Sequence, residues 1–281
     1  MVTTMTEQAA EAAIVAACAS LHLPSVRVEA CRIADDAARA GLTHRGYLAE
    51  VLCCELDDRE SRRCERRIAE ARFPRLKRLG EFDLAAAPSI NPASFAAVAS
   101  LSFVEAGEPL VLLGDPGTGK SHILIGVGVA AAEAGKRVRY VTCASLANEL
   151  AEAADERVLS RVVARYGRLD LLLLDELGYV SLDARGAELL FQVITEREER
   201  ASIAVASNAP FSEWGRTFSD PRLSAAVVDR LTFKAHILET GTESYRLRSS
   251  RGTKARATTA RGAKAPTGDG ATGDGATGKQ G

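Results

Sequence analysis

The sequence has no long apolar segment. None of its 281 residues lies in a hydrophobic run that approaches the roughly 18–20 residues a helix needs to cross a bilayer. The start of the chain also lacks a basic stretch followed by an apolar core and a cleavage site, which is the pattern of an export signal. These two absences predict a cytoplasmic protein with no membrane partner.

The chain also lacks a large excess of charge of either sign. It carries 36 Lys and Arg against 37 Asp and Glu, which gives a formal net charge of −1. A protein with so little net charge does not attract nucleic acid through its overall field, so any such binding has to come from local clusters.

The sequence also lacks cysteines at metal-binding spacing. No C-x-x-C pair is present, and no histidine stands near a cysteine at zinc-finger spacing, which argues against a structural zinc site. We therefore expect small buried thiols in a reducing cytosol. The six cysteines are Cys18, Cys31, Cys53, Cys54, Cys64 and Cys143.

The first 78 residues contain no strand-like run and are rich in Ala, Leu, Arg and Glu. Their apolar stretches and turn residues predict three helices, over Met5–Leu21, Val26–Ala40 and His44–Arg72. Thr43 is the expected N-cap of the last one. We expect residues 1–78 to form a small all-α domain that binds DNA or a protein partner.

Basic residues are concentrated at the end of this region. Residues 59–78 hold nine Arg or Lys and only three Glu. A solvated helix face with i,i+4 ion pairs explains such a run. A footprint on the phosphate backbone of double-stranded DNA explains it equally well. Both interpretations stay open at this point.

Residues 79–248 have a different sequence pattern, in which apolar runs typical of strands alternate with amphipathic segments typical of helices. This pattern is typical of an α/β fold with a mostly parallel sheet. The predicted strands are Leu110–Leu113, Arg137–Thr142, Leu171–Asp175 and Ser202–Ser207. A last pair is predicted on either side of a turn at Gly241, namely His236–Glu239 and Ser244–Leu247.

Residues 249–281 are rich in Gly, Ala, Thr and Lys, and they contain the sequence TGDGA twice in succession. No hydrophobic core can be built from this composition, so the segment is predicted to be a disordered tail.

The segment Gly114–Ser121 matches the phosphate-binding loop pattern G-x-x-x-x-G-K-[S/T] at every fixed position. Backbone N–H groups around such a turn can wrap a polyphosphate, and Gly117 and Gly119 supply conformations that a Cβ would obstruct. Lys120 places a positive charge on the terminal phosphates, and the hydroxyl of Ser121 can hold Mg²⁺. An apolar run precedes the loop and a helical pattern follows it, so the context also predicts a nucleoside triphosphate site.

Two carboxylates follow the apolar run 171–174, where open α/β sheets bind their ligands. Asp175 is placed to hold the Mg²⁺ shell through a metal-bound water. Glu176 is the predicted base that orients and polarises the attacking water. Water activation favours an ATPase over a small-molecule kinase, for which no lid-like insert is evident between residues 176 and 230.

Three further polar residues are candidates for the site. Asn208 ends the strand after the acidic one, and its amide can hydrogen-bond both the attacking water and a γ-phosphate oxygen. Arg230 and Arg246 are candidates for stabilising the charge that develops during phosphoryl transfer. From sequence alone, a surface position is the favoured interpretation of both arginines.

Together these motifs resemble the IstB-like ATPases, which are helper proteins of a class of bacterial insertion sequences. They also resemble the related DnaC-type helicase loaders, and both groups belong to the AAA+ superfamily. The resemblance covers roughly residues 5–248. It rests on the phosphate loop with His122, on 171–179 (LLLLDELGY), on 206–208 (ASN), on 211–214 (FSEW), on 229–231 (DRL) and on 244–246 (SYR).

This resemblance implies a P-loop AAA+ three-layer sandwich that binds ATP and Mg²⁺ and hydrolyses ATP. Asn208 looks like sensor one, Arg230 like an arginine finger that reaches a neighbouring subunit's ATP, and Arg246 like sensor two. The residues implied to bind ATP are Gly114, Asp115, Pro116, Gly117, Thr118, Gly119, Lys120, Ser121 and His122. Ser121 stands where the family usually has Thr, which preserves the hydroxyl.

The family also implies a partner set. It implies homo-oligomers on double-stranded DNA, with nucleotide at the subunit interfaces, that recruit and stimulate an IstA-like transposase during DNA transposition and recombination. A replicative helicase loader is the alternative, and a transposase gene directly upstream would be expected only for the first function.

Overall fold

The computed structural model of the chain describes residues 6–242 and residue 244. The predicted tail at 249–281, Arg246 and most of the predicted strand Ser244–Leu247 therefore lie outside the described residues. Within the described part, no helix is both long and apolar enough to span a bilayer.

Three helices open the described chain and confirm the helix predictions. They are α1 (Glu7–Ser20), α2 (Pro24–Ala40) and α3 (His44–Ala71). Thr43 caps α3 as expected, because its hydroxyl accepts a hydrogen bond of 3.1 Å from the N–H of Gly46. These helices bury a small core of their own, made of Cys18, Val26, Ala30, Ile33 and Val51.

A buried carboxylate on α3 fixes the start of α2. Glu55 accepts hydrogen bonds from the N–H groups of Ser25 at 2.9 Å and Val26 at 3.2 Å, which belong to the first turn of α2 and have no partner within that helix. Arg59 adds a third hydrogen bond at 2.8 Å. Burial by itself would raise the pKa of Glu55, but these hydrogen bonds outweigh it and hold the pKa below its usual value.

We expect Glu55→Ala to lower the free energy of unfolding of the helical region by about 2–4 kcal/mol, because it leaves two buried N–H groups without an acceptor. Since the folded pKa lies below the unfolded one, the contribution of Glu55 is present above the unfolded pKa and is lost as the pH falls through the folded one. Urea melts followed by circular dichroism at pH 7 and pH 4 should thus show a larger deficit at pH 7. The exposed Glu50→Ala on the same helix is the control, and an equal effect of both variants would contradict this role.

A five-stranded sheet forms the centre of the remaining chain. Its strands are β1 (Leu110–Leu113), β2 (Val138–Thr142), β3 (Leu171–Leu177), β4 (Ser202–Ser207) and β5 (His236–Glu239). They lie in the order β2-β3-β4-β1-β5, and every neighbouring pair is parallel. This confirms the predicted α/β fold with a parallel sheet.

Helices cover both faces of the sheet. They are α4 (Pro92–Ala99), α5 (Ser102–Ala106), α6 (Lys120–Glu133), α7 (Cys143–Asp155), α8 (Leu159–Gly167), α9 (Ala184–Arg197), α10 (Gly215–Phe218) and α11 (Pro221–Thr232). Leu110 and Leu112 of β1 join the core beneath α4, α5 and α6, whereas Val111 and Leu113 join the core beneath α7, α9 and α11. Alternate side chains of β1 thus pack into two hydrophobic cores, one on each face of the sheet. A sheet between two layers of helices confirms the predicted three-layer sandwich.

The long helix α3 connects the helical region to the sheet. Its last residue, Ala71, is fully buried in the core on the α6 side, where α3 packs against α6 and β2. The segment that follows, residues 72–90, runs past the phosphate loop before α4 begins.

Two predictions about the strands and one about the cysteines need correction. β3 continues to Leu177, two residues past the predicted end, because a bulge lets the strand pass through both acids and resume pairing with Ser207. The strand β5 pairs in parallel with β1, and Ser244 lies in no strand. Cys31 and Cys53 are exposed rather than buried, because they lie on the solvent-facing sides of α2 and α3.

Candidate functional site

The phosphate loop connects β1 to α6, and its glycines have the conformations that the pattern requires. Gly117 has φ +88° and Gly119 has φ +106°, a region that residues with a Cβ seldom adopt. A Cβ on Gly119 would also lie 2.7 Å from the ring of Phe82. The helix α6 begins immediately afterwards at Lys120, so its N-terminus faces the loop.

Lys120 is only 6% exposed, and its side chain lies against the loop. Its Nζ donates hydrogen bonds to the carbonyls of Gly114 at 2.6 Å and Asp115 at 2.8 Å. The ammonium group is therefore held inside the loop, where it can reach the phosphates of a nucleotide.

The end of β5 supports the loop from its other side. Thr240 donates its N–H to the carbonyl of Leu113 at 2.7 Å, and its hydroxyl lies 2.5 Å from the hydroxyl of Thr118. The N–H of Asp115 donates to the carbonyl of Gly241 at 3.0 Å. Sequence reasoning missed Thr240, and its only signal was its place directly after the strand that turns out to flank β1.

The two acids of β3 have opposite environments. Asp175 is buried, while the bulge places Glu176 at φ +62° with its side chain exposed. One oxygen of Asp175, Oδ1, accepts the N–H of Glu176 at 2.9 Å, and the other, Oδ2, accepts the hydroxyl of Tyr140 at 2.8 Å. Burial, followed by the charge of Asp175, raises the pKa of Tyr140 far above its ordinary value, so the phenol stays protonated and donates.

One cleft of about 780 Å³ brings these groups together. It is lined by the phosphate loop, Asp175, Glu176 and Asn208, the last of which follows β4. This volume is within the range of roughly 300–1,000 Å³ that is usual for ligand sites. The structure thus places the predicted loop, acids and amide at one edge of the sheet, where the carboxyl ends of the parallel strands meet.

The segment before α4 forms the opposite wall of the cleft. Arg75, Lys77 and Phe82 line it there. The ring of Phe82 meets that of His122 edge to face, with centroids 5.4 Å apart, and Nε2 of His122 lies 3.1 Å from the carbonyl of Arg78. His122 therefore lines the cleft but is engaged with this wall.

The residues at this edge of the sheet suit Mg²⁺ bound together with a nucleotide. Ser121 and Asp175 line the cleft with a hydroxyl and a carboxylate, which are hard oxygen donors. In the described part of the chain, no three His, Cys, Asp or Glu side chains cluster into a cage for a metal ion. The hydroxyl of Ser121 and the carboxylate of Asp175 fit Mg²⁺, which usually keeps several waters and takes its other ligands from substrate phosphates.

Arg230 does not lie in the cleft. It stands on α11 among residues near the amino ends of β1 and β4, including Pro109 and Ala201. Its Nε donates to Oε2 of Glu198 at 2.8 Å, and its guanidinium lies 4.6 Å from the ring centroid of Phe191.

The strand order, the phosphate loop after β1 and the acids on β3 define a P-loop nucleotide-binding protein of the AAA+ class. The family model for IstB-like ATP binding proteins matches residues 16–253, and the chain belongs to this family. This confirms the resemblance that the motifs indicated.

Curated relatives agree with this assignment, and a solved structure has a similar fold. An insertion sequence ATP-binding protein of Sinorhizobium fredii is 38% identical, over 83% of this chain and 79% of the relative. The insertion sequence IS21 ATP-binding protein of Pseudomonas aeruginosa is 37% identical, over 77% of this chain and 82% of the relative. AMPPCP-bound DnaA from Aquifex aeolicus has a similar fold, with a TM-score of 0.51 and 21% identity over 66% of this chain and 56% of the DnaA chain.

Proposed function

We propose that this chain is an ATP-dependent DNA-binding ATPase that assembles on DNA and recruits and stimulates a transposase in insertion-sequence transposition. The observation that carries the proposal is the single cleft in which the phosphate loop, both acids of β3 and Asn208 meet. The relatives named as insertion sequence ATP-binding proteins supply the biological setting.

In the proposed hydrolysis, each polar group of the cleft has one task. Lys120 and the loop N–H groups bind the phosphates, while Ser121 and Asp175 would hold Mg²⁺, which would supply positive charge to neutralise the phosphates. Glu176, which is exposed to the cleft, orients the attacking water and accepts its proton. Asn208 hydrogen-bonds the γ-phosphate and so distinguishes ATP from ADP.

The position of Arg230 supports a site completed by a second subunit. The cleft lies at the carboxyl ends of the strands, and Arg230 stands near the amino ends of β1 and β4. Even a strand of four residues spans about 13 Å, so the side chain of Arg230 does not reach the cleft of its own subunit. In a homo-oligomer it would contact a neighbour's nucleotide, whereas Arg246 would act within its own subunit.

The ion pairs of the basic segment 59–78 narrow the candidates for DNA contact. Arg59 and Arg66 form i,i+4 ion pairs with Glu55 and Glu70 along α3, as a helix face does, whereas Arg78 lies beyond that helix and pairs with Glu133 of α6. By contrast, Arg63 and Arg72 are exposed and form no ion pair with any other residue in the described part of the chain. These two arginines are our candidates for contacts with the phosphate backbone of duplex DNA.

The proposal is tested by measuring ATP turnover and DNA affinity in the same preparations. We expect duplex DNA to raise ATP turnover and ATP to raise DNA affinity in the native chain. Lys120→Ala should lose both effects, because nucleotide binding requires the ammonium group. Arg63→Ala should keep nucleotide binding but reduce the slope of log K against log salt by about 1, whereas Arg32→Ala, a basic residue already paired on α2, should not.

Two outcomes would overturn the proposal. One is ATP turnover that is indifferent to DNA, together with the absence of any ATP-dependent oligomer. The other is capture of a replicative helicase instead of a transposase when the tagged full chain is incubated with both, which would indicate a helicase loader.

A further inference from the structure

Tyr140 stands outside every motif that the sequence analysis singled out, yet its hydroxyl contacts an acid of the cleft. It lies on β2, whose register with β3 pairs Tyr140 with Leu173 and Thr142 with Asp175. The ring packs against the core on the α6 side, which fixes where the hydroxyl lies. From there the hydroxyl donates to Oδ2 of Asp175 at 2.8 Å.

The second oxygen of Asp175 is held as well. Its Oδ1 accepts the N–H of Glu176 at 2.9 Å, within the bulge where β3 leaves its register with β4. The terminal torsion of an aspartate is otherwise broad, so a carboxylate with one donor can rotate about its Cβ–Cγ bond. With a donor on each oxygen, the remaining lone pairs of Asp175 are kept in one orientation.

The donor that Tyr140 supplies to Asp175 is an uncharged phenol hydroxyl. A phenol hydroxyl adds no positive charge next to Asp175, so it orients the carboxylate without neutralising it. The full negative charge of Asp175 then remains to attract a hard cation. A lysine or arginine at the same place would orient the carboxylate equally well but would compete with the cation.

We propose that Tyr140 is a positioning residue that sets the orientation of Asp175 for Mg²⁺ bound with a nucleotide. This inference rests on the proposed role of Asp175 in holding Mg²⁺. A tyrosine that merely satisfies its hydroxyl in the core is the competing explanation, and it predicts an effect on stability with none on Mg²⁺.

The test is a binding titration that needs no turnover. Tyr140→Phe keeps the ring and removes the donor. We expect the affinity for a fluorescent ADP analogue without Mg²⁺ to stay within about twofold, while the Mg²⁺ concentration for half-maximal tightening rises roughly 10-fold or more, as for other lost partners of metal ligands. ATP turnover should recover at high Mg²⁺, with the KM for ATP unchanged.

Tyr166→Phe is the matched control, because Tyr166 is a buried tyrosine whose hydroxyl donates to Glu149 at 2.6 Å, away from the cleft. It should leave the Mg²⁺ dependence unchanged even if it lowers the melting temperature. Asp175→Asn tests the role of Asp175 separately from that of Tyr140. If it leaves the Mg²⁺ dependence unchanged, the proposed role of Asp175 is wrong. If it shifts that dependence and Tyr140→Phe does not, only the role of Tyr140 is overturned.

Discussion

Glu176→Gln is expected to reduce steady-state ATP turnover by roughly 100-fold or more, with the affinity for ATP within about twofold of the native value. The amide has nearly the shape of the carboxylate but cannot accept a proton from the attacking water. Because the side chain is exposed at the bulge, the substitution should not destabilise the fold. Turnover is measured by phosphate release, and affinity by titration with a fluorescent ATP analogue.

The matched control is Glu188→Gln, an exposed glutamate on α9 outside the cleft, which should turn over ATP like the native chain. A further consequence concerns DNA. If ATP holds subunits together on DNA and hydrolysis releases them, assemblies of Glu176→Gln on DNA should persist after excess competitor DNA is added. Native turnover in Glu176→Gln would show that another group activates the water.

The parts of the site that sequence reasoning found are those whose chemistry is local in the chain. The loop from Gly114 to Ser121 carries its own geometry, because positive φ values at Gly117 and Gly119 and the following helix N-terminus need no distant partner. The same holds for Thr43, which caps a helix that begins at the next residue. Such features depend on spacing along the chain.

The parts that sequence reasoning missed depend on which strands become neighbours. Thr240 supports the loop only because β5 lies beside β1, and Tyr140 reaches Asp175 only because β2 lies beside β3. No short-range pattern states this order. The bulge that extends β3 past Asp175 and turns Glu176 outward is likewise set by pairing with β4, so a run of apolar residues followed by acids gave the wrong strand end.

The charged residues are an intermediate case. The sequence shows that residues 59–78 contain nine basic residues, but it does not show which of the arginines form ion pairs. Arg59 pairs with a glutamate four residues earlier on the same helix, whereas Arg78 finds Glu133 on α6. A helical i,i+4 rule predicts the first pair and has no access to the second.

Arg230→Ala is expected to lower ATP turnover of the assembled protein by about 10³-fold, the size of effect that an arginine supplied from a neighbouring subunit has in related chemistry. Nucleotide affinity of the isolated subunit should be unchanged, because Arg230 lies outside its own cleft. The fold should tolerate the loss, since the partly exposed ion pair with Glu198 contributes little to stability.

A mixing experiment decides whether Arg230 acts between subunits. Arg230→Ala subunits keep Lys120, and Lys120→Ala subunits keep Arg230, so a contact between them rebuilds one complete site. With random assembly of equal amounts, about a quarter of the interfaces carry both groups and turnover should recover to about that fraction. The control is Arg222→Ala, which changes an exposed arginine on the same helix and should be fully active without mixing. If the two inactive variants stay inactive when mixed, although gel filtration shows that they co-assemble, Arg230 does not complete a neighbour's site. Recovery of turnover occurs only if the guanidinium of Arg230 from one subunit acts at the cleft of another.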